Sequence, residues 1–336
     1  MDISNHIYQE KGGLKHVGQY FDLERKVLVV TDDGVPKQYV NALVGQCKKA
    51  VLYVAKQGEK SKSFEVLQEV LNCMLEHNFS REDAVIALGG GVVGDLSGLA
   101  AGLFMRGVDW YNIPATLLAQ VDASIGGKTA INLSGIKNIV GIFNQPKGVL
   151  VDTELLETLS ERQMTNGMME VLKMGMILDE TLVETMQSPD YRQHLDALVE
   201  RSIALKSMVV NQDEKEQSYR RILNYGHTVG HGFESAFGGE LLHGEAVACG
   251  MMAMAEGEVR LQLIRALENL GVLPRLKDIT ESCLEERKEK IKEAILHDKK
   301  GVKDGCHVVI VDKIGRCEVQ KVAMTNVLEK VDGFRL

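Results

Sequence analysis

Short apolar runs that end in polar residues alternate with amphipathic segments in the first part of the chain. Three runs, at residues 26–32, 51–55 and 84–88, are rich in Val, Ile, Leu and Ala and predict buried parallel strands. Between the second and third runs, apolar residues at 64, 67, 70, 71, 74 and 75 have the spacing of one helix face. This alternation predicts a parallel sheet with helices on both faces.

The pattern becomes helical from about Asp152 onward. Residues 168–178 are apolar all round except for Glu170 and Lys173, which predicts a buried helix that carries two charges. A buried charge is costly unless it is paired or bound to a metal, so two interpretations stay open: the two side chains pair with each other, or Glu170 is a metal ligand. Further elements are predicted as a helix at about 195–212, a solvated acidic turn at 213–216, a basic turn at 298–301, and a β pair at 308–311 and 317–322.

Composition and charge narrow the class of protein. The 336 residues suffice for two domains with separate cores. The net charge of −8 argues against nucleic acid or an anionic membrane as the main partner. The N-terminus lacks the features of a signal peptide, and no apolar stretch is long enough to span a bilayer, so we expect no membrane association. The six cysteines are scattered without a C-x-x-C pair, which is typical of reduced thiols in a cytoplasmic protein.

The third predicted strand leads into a glycine-rich segment. Residues 89–94 match G-x-G-x-x-G ahead of a predicted helix at 96–105, and glycines let backbone amides approach a phosphate. The match differs from the dinucleotide fingerprint because it follows the third strand, and Asp32 at the end of the first strand is better placed to bind a ribose. A nucleotide site and a simple tight turn both stay open. Lys128 follows two glycines and suits an anionic oxygen, but its segment lacks the first glycine of a Walker A loop.

Histidines concentrate in one short stretch, with three of the nine lying within residues 227–243. If residues 226–234 are helical, Asn224, His227 and His231 share one face, and two imidazoles at i, i+4 can reach one metal ion. His243 follows just ahead of another apolar helix. Core histidines bonded to the backbone are the alternative, but such a cluster beside an amide also indicates a metal or catalytic site.

The chain resembles the 3-dehydroquinate synthases of the sugar-phosphate cyclase family over nearly its full length. The motifs that carry the resemblance occur in order as GGGVVGDLSGLAAGLFMRG, IPATLLAQVDASIGGKTAIN, KNIVGIF, VDTELLETL, GMMEVLKMG, DEKEQSYRRILNYGHTVGHGFE, HGEAVACGM and DKKG. The resemblance implies an α/β N-terminal nucleotide-binding domain with a Rossmann-like parallel sheet at 1–158, and a mostly α-helical C-terminal domain at 159–336. It also implies bound NAD, one catalytic Zn²⁺ that Co²⁺ can replace, and a homodimer.

The resemblance assigns roles to particular residues of this sequence. The implied metal ligands are Glu170, His227 and His243, so that His231 serves the substrate phosphate and proton transfer instead. The implied NAD contacts are Asp32, Glu59, Lys62, Gly91, Val92, Val93, Gly94, Asp95, Ala115, Thr116, Lys128, Lys137, Leu155, Leu156, Glu157 and Thr158. The implied catalytic residues are Asp122, Lys128, Lys173, Asn224 and His231. The implied substrate-binding residues are Asn138, Lys206, Arg220, Lys300 and, from the neighbouring subunit, Arg106.

The implied reaction belongs to the shikimate pathway, which leads to chorismate and the aromatic amino acids. A carbon–oxygen lyase of this family converts 3-deoxy-D-arabino-heptulosonate 7-phosphate to 3-dehydroquinate and phosphate. The implied steps are transient oxidation with NAD, β-elimination of phosphate, re-reduction and intramolecular aldol closure. The sequence departs from the usual family pattern at Ala115, Ile136, Ser218 and Gly232, and none of these departures removes a charged catalytic group.

Two other enzyme classes remain as alternatives. One is a related sugar-phosphate cyclase such as a 2-deoxy-scyllo-inosose synthase, which uses glucose 6-phosphate. Lys206 and Arg220 argue against it, because in the dehydroquinate synthases these residues bind a substrate carboxylate that glucose 6-phosphate lacks. The other is a metal-dependent polyol dehydrogenase of similar fold, which would accumulate NADH.

Overall fold

The computed structural model describes residues 2–281, 283–298 and 305–336. The chain divides into two compact units, the first made of Met1–Met164 and Lys206–Lys215 and the second of Thr165–Leu205 and Glu216–Leu336. The domain boundary between residues 158 and 159 stays a prediction. Within the described ranges, no helix is both long and apolar enough to cross a membrane.

A parallel sheet forms the centre of the first unit. The strands of this unit are β1 (Ile7–Gln9), β2 (Lys26–Asp32), β3 (Lys49–Ala55), β4 (Ala84–Gly89), β5 (Asp109–Pro114), β6 (Lys128–Leu133), β7 (Ile136–Phe143) and β8 (Gly148–Val151). Six of them pair in the order β1-β8-β5-β4-β2-β3, with every neighbouring pair parallel. The three strands predicted from the apolar runs are thus confirmed as β2, β3 and β4.

Helices cover both faces of this sheet, as the alternating pattern predicts. They are α1 (Lys37–Val44), α2 (Phe64–Glu76) and α3 (Gly91–Leu103). Successive residues of β2 point to opposite faces and enter two separate apolar clusters. Leu28 packs in the cluster that contains Leu67 of α2, while Val27 packs in the cluster that contains Leu43 of α1. Burial on both faces explains why these strands appear in the sequence as continuous apolar runs.

The helix predicted at 96–105 has different bounds in the structure, where α3 begins at Gly91 and ends at Leu103. Its first turn therefore includes most of the glycine-rich segment that the sequence pattern placed in a loop. Gly89 permits this early start, because a Cβ there would lie 2.6 Å from the side chain of Val93. The helix stops before Met105, whose φ of 49° is left-handed.

The remaining strands of the first unit form an antiparallel hairpin. β6 and β7 pair with a register shift between Ile131 and Leu133. No pattern in the sequence predicted this hairpin, because seven of the eight residues of β7 are exposed and lack an alternation of apolar and polar positions.

Helices dominate the second unit. They are α4 (Glu161–Leu178), α5 (Glu180–Gln187), α6 (Leu195–Gln212), α7 (His227–Ala236), α8 (His243–Met254), α9 (Gly257–Asn269), α10 (Val272–Glu281), α11 (Leu284–Asp298) and α12 (Met324–Asp332), with α4 and α6 running partly in the first unit. Two antiparallel strands, β9 (Cys306–Lys313) and β10 (Arg316–Val322), complete it. The predicted helices within 168–178 and 195–212 and the predicted β pair are confirmed. The basic turn at 298–301 lies almost wholly outside the described residues.

Candidate functional site

Glycines let the start of α7 pack closely against the middle of α8. A Cβ on Gly250 of α8 would lie 1.8 Å from the carbonyl oxygen of Gly226, so only glycine permits this approach. Gly226 itself has a φ of +77° and directly precedes α7. His227 and His243 are the first residues of the two helices, and their ring centroids lie 5.3 Å apart. The close packing thus sets two imidazoles side by side.

The carboxylate of Glu170 on α4 faces both imidazoles. Its Oε1 lies 3.6 Å from Nε2 of His227 and 3.6 Å from Nε2 of His243. The side chain is wholly buried, and Oε1 has no hydrogen-bond partner among the described residues. The other oxygen, Oε2, accepts a hydrogen bond from the ammonium of Lys173, which is also buried. The pairing interpretation of Glu170 is thus confirmed for one of its two oxygens.

These three side chains fit a divalent metal ion. Two imidazoles and one carboxylate are a ligand set of catalytic zinc sites, which keep an open fourth position. Ligand atoms about 2.0–2.2 Å from one tetrahedral ion lie roughly 3.3–3.6 Å apart, and the observed 3.6 Å separations agree with this spacing. An ion there would also supply the partner that Oε1 of Glu170 otherwise lacks.

The second nitrogen of each imidazole has its own acceptor. Nδ1 of His227 lies 3.1 Å from the carbonyl oxygen of Tyr225, and Nδ1 of His243 lies 3.3 Å from Oε2 of Glu234. Such acceptors fix the tautomer that leaves Nε2 available to a metal. Both rings therefore present Nε2 toward Glu170.

The first turn of α8 is held by groups that sequence reasoning did not identify. Glu245, which is 2% exposed, accepts a hydrogen bond from the backbone amide of Leu242 and another from Arg275, each at 2.8 Å. The amide of Gly244 donates to Oδ1 of Asn166 at 2.6 Å. These bonds fix the start of the helix, and with it the position of His243. The Glu at the third helical position was a visible signal, since it is typical of helix starts.

Opposing effects set the charges of the metal-free cluster. Burial disfavours the Glu170 carboxylate, but the Lys173 ammonium and the two imidazoles outweigh burial and lower the pKa of Glu170 well below its ordinary value. Burial and the Lys173 charge lower the pKa of His227. For His243, burial is outweighed by Glu170 and Glu234, which raise its pKa to about 10. Metal binding must therefore displace a proton from His243.

His231 lies beside this cluster without facing Glu170 in the same way. Its ring centroid is 5.4 Å from that of His227 and 6.1 Å from that of His243, and its side chain is exposed. It shares a second group of close ligand atoms with Glu234 and His243. The helical face predicted to carry His227 and His231 is thus present, and the separate role of His231 stays a prediction.

Asn224 and Glu216 form a further pair in the second unit. Nδ2 of Asn224 donates to Oε1 of Glu216 at 2.7 Å, and Glu216 has a left-handed φ of 57°. Sequence reasoning placed Glu216 in a solvated turn, and nothing in its spacing pointed to this contact. Both side chains line a cavity of about 170 Å³ with Arg221, Thr228, Cys306, His307, Val309 and Val319. Arg220 is buried in the same short turn, and Lys300 lies outside the described residues.

Most of the residues predicted to contact NAD gather at one edge of the sheet in the first unit. They follow the carboxyl ends of parallel strands, which the register aligns by pairing Asp32 with Ala55 and Gly89 with Pro114. Ligands of such sheets bind beyond these ends. In chain order these residues are Asp32 at the end of β2, Glu59 and Lys62 after β3, Gly91, Val92, Val93, Gly94 and Asp95 after β4, Ala115 and Thr116 after β5, and Leu155, Leu156, Glu157 and Thr158 after β8. The other two residues predicted to contact NAD, Lys128 and Lys137, lie on the β6–β7 hairpin.

Two ion pairs join predicted site residues within the first unit. Lys62 lies 2.5 Å from Oδ2 of Asp95 and also donates to Oδ1 of Asn138, so a predicted substrate residue contacts predicted NAD residues. Lys206 lies 2.5 Å from Oδ1 of Asp122. Lysines 62 and 206 are both buried, which makes these pairs stronger than surface ones.

A π-helical turn over Ala119–Ala123 positions Asp122. The buried Gln120 fixes this turn, since its amide donates to the carbonyl oxygens of Pro114 at 3.1 Å and Asp152 at 2.8 Å. Such turns are frequent at functional sites. Gln120 was not singled out from the sequence, because one amide side chain gives no periodic signal.

The remaining predicted residues of the first unit are exposed cations. Lys128 and Lys137 lie on the β6–β7 hairpin. Arg106 lies in the left-handed turn after α3, with a φ of 68°. A non-glycine residue in this backbone region is uncommon and points to a functional or packing constraint.

Comparison with known proteins gives matches over both parts of the chain. The model for the N-terminal domain of 3-dehydroquinate synthase matches residues 52–166, and the model for its C-terminal domain matches residues 167–301. The 3-dehydroquinate synthase of Streptococcus thermophilus is 35% identical over 350 aligned positions, covering 97% of this chain and 96% of the relative. That of Thermoanaerobacter pseudethanolicus is 38% identical over 317 positions, covering 90% and 89%.

Solved structures are also similar. A 2-deoxy-scyllo-inosose synthase complexed with carbaglucose-6-phosphate, NAD⁺ and Co²⁺ superposes with a TM-score of 0.85 at 26% identity, covering 98% of this chain and 96% of the other. The 2-epi-5-epi-valiolone synthase of Streptomyces hygroscopicus, with NAD⁺ and Zn²⁺ bound, gives 0.86 at 24% identity, covering 97% and 94%. A probable glycerol dehydrogenase of Sinorhizobium meliloti gives 0.64 at 15%, covering 98% and 96%. The valiolone synthase and the glycerol dehydrogenase share the fold of this chain. These similarities confirm the predicted fold class.

Proposed function

The chain belongs to the 3-dehydroquinate synthase family, and we propose that it is a carbon–oxygen lyase that converts 3-deoxy-D-arabino-heptulosonate 7-phosphate to 3-dehydroquinate and phosphate. The observation that carries this proposal is the buried Glu170 carboxylate, whose Oε1 faces two imidazoles and lacks a hydrogen-bond partner among the described residues. Such a group suits a metal-assisted reaction, and the family membership supports placing that reaction in the shikimate pathway.

NAD and a divalent ion are the proposed cofactors, with Zn²⁺ as the metal and Co²⁺ as a substitute. Related cyclases have been solved with NAD⁺ and one of these two metals. When bound, the metal lowers the pKa of a coordinated hydroxyl and NAD accepts and returns a hydride. Glu170, His227 and His243 would hold the metal, and the strand-end residues of the first unit would hold NAD. Asp32, buried at the end of β2, is placed to accept a ribose hydroxyl.

The other predicted residues have proposed roles toward the substrate. Lys206 and Arg220 would bind its carboxylate, for which two buried cations are suited. Lys128, Asn138, Lys300, His231 and the partner subunit's Arg106 would bind its phosphate. Asn224, held by Glu216, would also bind the phosphate, and Asp122, held by Lys206, would orient a hydroxyl group. Lys173 would keep Glu170 ionised, because its ammonium lowers the pKa of that carboxyl group.

We also propose a cytoplasmic homodimer with domains at 1–158 and 159–336. Exposed apolar side chains on the β6–β7 hairpin and at the end of α3 support a contact with a second copy, among them Ile139 at 58% exposure and Phe143 at 47%. The two elements touch, since a Cβ on Gly102 of α3 would lie 2.3 Å from Ile142. Ile139→Asp should give a monomer in sedimentation velocity, and an unchanged dimer would exclude this face. All six cysteines are free, as suits the cytoplasm.

A phosphate-release assay tests the proposed reaction. Purified protein with NAD and zinc is given the heptulosonate phosphate or glucose 6-phosphate, while absorbance at the NADH band is followed. We expect phosphate release from the first substrate alone and no steady rise of NADH. Turnover of glucose 6-phosphate would instead indicate another sugar-phosphate cyclase, and steady NADH accumulation would indicate a polyol dehydrogenase.

A further inference from the structure

The β6–β7 hairpin contains a bulge at a predicted site residue. The ladder pairs Ile131 with Val140 and then Leu133 with Ile136, so Asn132 alone opposes residues 137–139. Asn138 within the bulge has a left-handed φ of 55°. Bulges of this kind redirect a side chain, and here the Asn138 amide turns toward the Lys62 ammonium, to which it is hydrogen-bonded.

Asn132 forms three hydrogen bonds that tie this bulge to the turn after β3. Its side-chain oxygen accepts from the backbone amide of Asn138 at 2.8 Å, and its side-chain NH₂ donates to Oε1 of Glu59 at 2.8 Å. Its own backbone amide donates to the carbonyl oxygen of Lys62 at 2.9 Å. Asn132 therefore joins the bulge to the turn Glu59–Ser61 and to Lys62, so that all of them form one hydrogen-bonded unit.

The two ends of this unit carry different proposed ligands. Glu59 and Lys62 are proposed NAD contacts, whereas Asn138 is a proposed contact of the substrate phosphate. Lys62 contacts both Asp95, at 2.5 Å, and Asn138, so it already links a proposed NAD residue to the bulge. The hydrogen bonds of Asn132 reach Glu59 and Lys62 at one end and Asn138 at the other.

We propose that Asn132 is a positioning residue that couples dinucleotide binding at the Glu59–Lys62 turn to phosphate binding at the bulge. The inference rests on the proposed function, which supplies the two ligands. A dinucleotide that orders Glu59 and Lys62 also orders Asn132, and through it the left-handed backbone of Asn138. A second ligand then meets a site that is already ordered, which produces positive cooperativity. Because linkage is reciprocal, phosphate must raise NAD affinity by the same factor.

Calorimetric titration of NAD, with and without saturating inorganic phosphate, measures this coupling. For the zinc-loaded wild type we expect phosphate to tighten NAD binding by about fivefold or more. In Asn132→Ala this ratio should fall toward one, although NAD still binds, because only the direct Lys62–Asn138 hydrogen bond is then left of the side-chain contacts that join the turn to the bulge. Asn132→Ser provides a second variant if the first fails to fold. Ser134→Gly is the matched control: it lies at the tip of the same hairpin with a left-handed φ of 52°, and it should keep the wild-type ratio.

Hydrogen exchange gives an independent readout on the same proteins. NAD should protect the Asn138 amide in the wild type and in Ser134→Gly but not in Asn132→Ala. The coupling would be overturned if phosphate tightened NAD binding by the same factor in Asn132→Ala as in the wild type. It would also be overturned if phosphate did not change NAD affinity in a wild type that turns over substrate. Either result leaves the proposed function unaffected. A wild type that neither binds NAD nor releases phosphate would overturn the proposed function, and the coupling with it.

Discussion

Replacing Lys173 by Met removes one charge from an ion pair that is shielded from water. Glu170 is wholly buried and Lys173 is 1% exposed. Met keeps most of the apolar length of the side chain, so the variant mainly loses the ammonium. Removal of one partner of a buried pair typically costs about 3–5 kcal/mol, because the remaining charge is uncompensated. Oε1 of Glu170 also faces His243, so we expect a loss near the lower limit, about 3 kcal/mol, in the zinc-free protein.

Zinc should reduce this loss. A divalent ion at Oε1 of Glu170 supplies positive charge to the same carboxylate, so the zinc-loaded variant should lie closer to the zinc-loaded wild type. By linkage, the stabilisation that saturating zinc adds is then larger in Lys173→Met than in the wild type. Urea unfolding followed by circular dichroism measures both quantities, on protein dialysed against a chelator and on the same protein reloaded with zinc.

Two further variants separate the cost of leaving a buried carboxylate unpaired from any general effect of removing a lysine. Lys288 on α11 has the same i, i+3 spacing to Glu285 at 2.6 Å, but the Glu285 side chain is 75% exposed and stays hydrated without its partner. Lys288→Met should therefore cost little, and zinc should not alter that cost. The double variant Glu170→Gln, Lys173→Met should regain part of the lost stability, because the buried carboxylate that had lost its ammonium partner is gone as well.

The reasoning would be refuted by either of two results. One is a zinc-free Lys173→Met protein whose free energy of unfolding lies within about 1 kcal/mol of the wild type, since a buried pair should cost more. The other is a deficit that zinc leaves unchanged, because a metal at Glu170 must offset the missing charge.

Three other substitutions address the proposed site. Glu234→Gln weakens the acceptor of His243 Nδ1 and should reduce zinc affinity about 10–100-fold in competition with a chelator; unchanged affinity would show that Glu234 does not act on the ligand. Arg220→Ala should raise KM for the carboxylate substrate about 10–100-fold and leave the Kd for NAD nearly unchanged, whereas an equal loss of both would indicate a structural role. Gly250→Ala places a Cβ 1.8 Å from the Gly226 carbonyl oxygen and should lower the free energy of unfolding by about 1–3 kcal/mol. Thermal unfolding measures this loss, and a Tm equal to that of the wild type would contradict the close packing of Gly250 on Gly226.

The central strands of the sheet were predictable because burial on both faces leaves a strong signal. β2 and β4 are buried along nearly their whole length and appear as unbroken apolar runs. β1 and β8 have three and four residues, which is too short for any periodic pattern. The hairpin residues of β7 are mostly exposed, so the hydrophobic pattern does not identify them. Their position depends instead on contacts with α3 and with the turn after β3.

Local spacing identified the histidine cluster but not its full membership. The i, i+4 interval paired His227 with His231, and the structure does set them on one helix. Spacing could not bring in Glu170, which belongs to another helix and is distinguished in the sequence only by being a charge in an apolar segment. That charge left Glu170 open as a metal ligand, and resemblance to a known family then assigned it to the ion. Neither local spacing nor the family resemblance identified Glu216 and Glu234, because their contacts depend on backbone geometry that residue types do not encode.

In the proposed metal site, the direction of each ring brings Nε2 of His227 and of His243 toward Glu170. His227 begins α7 directly after the left-handed Gly226, and the Tyr225 carbonyl oxygen holds its Nδ1, so Nε2 points to the carboxylate. His243 begins α8, and Glu234 holds its Nδ1 in the same sense. Both ring directions therefore depend on the start of a helix, and α7 packs this closely against α8 only because glycine stands on each side of the contact. The glycines of NYGH and ACGM thus support the proposed metal site, although neither can bind a metal through a side chain.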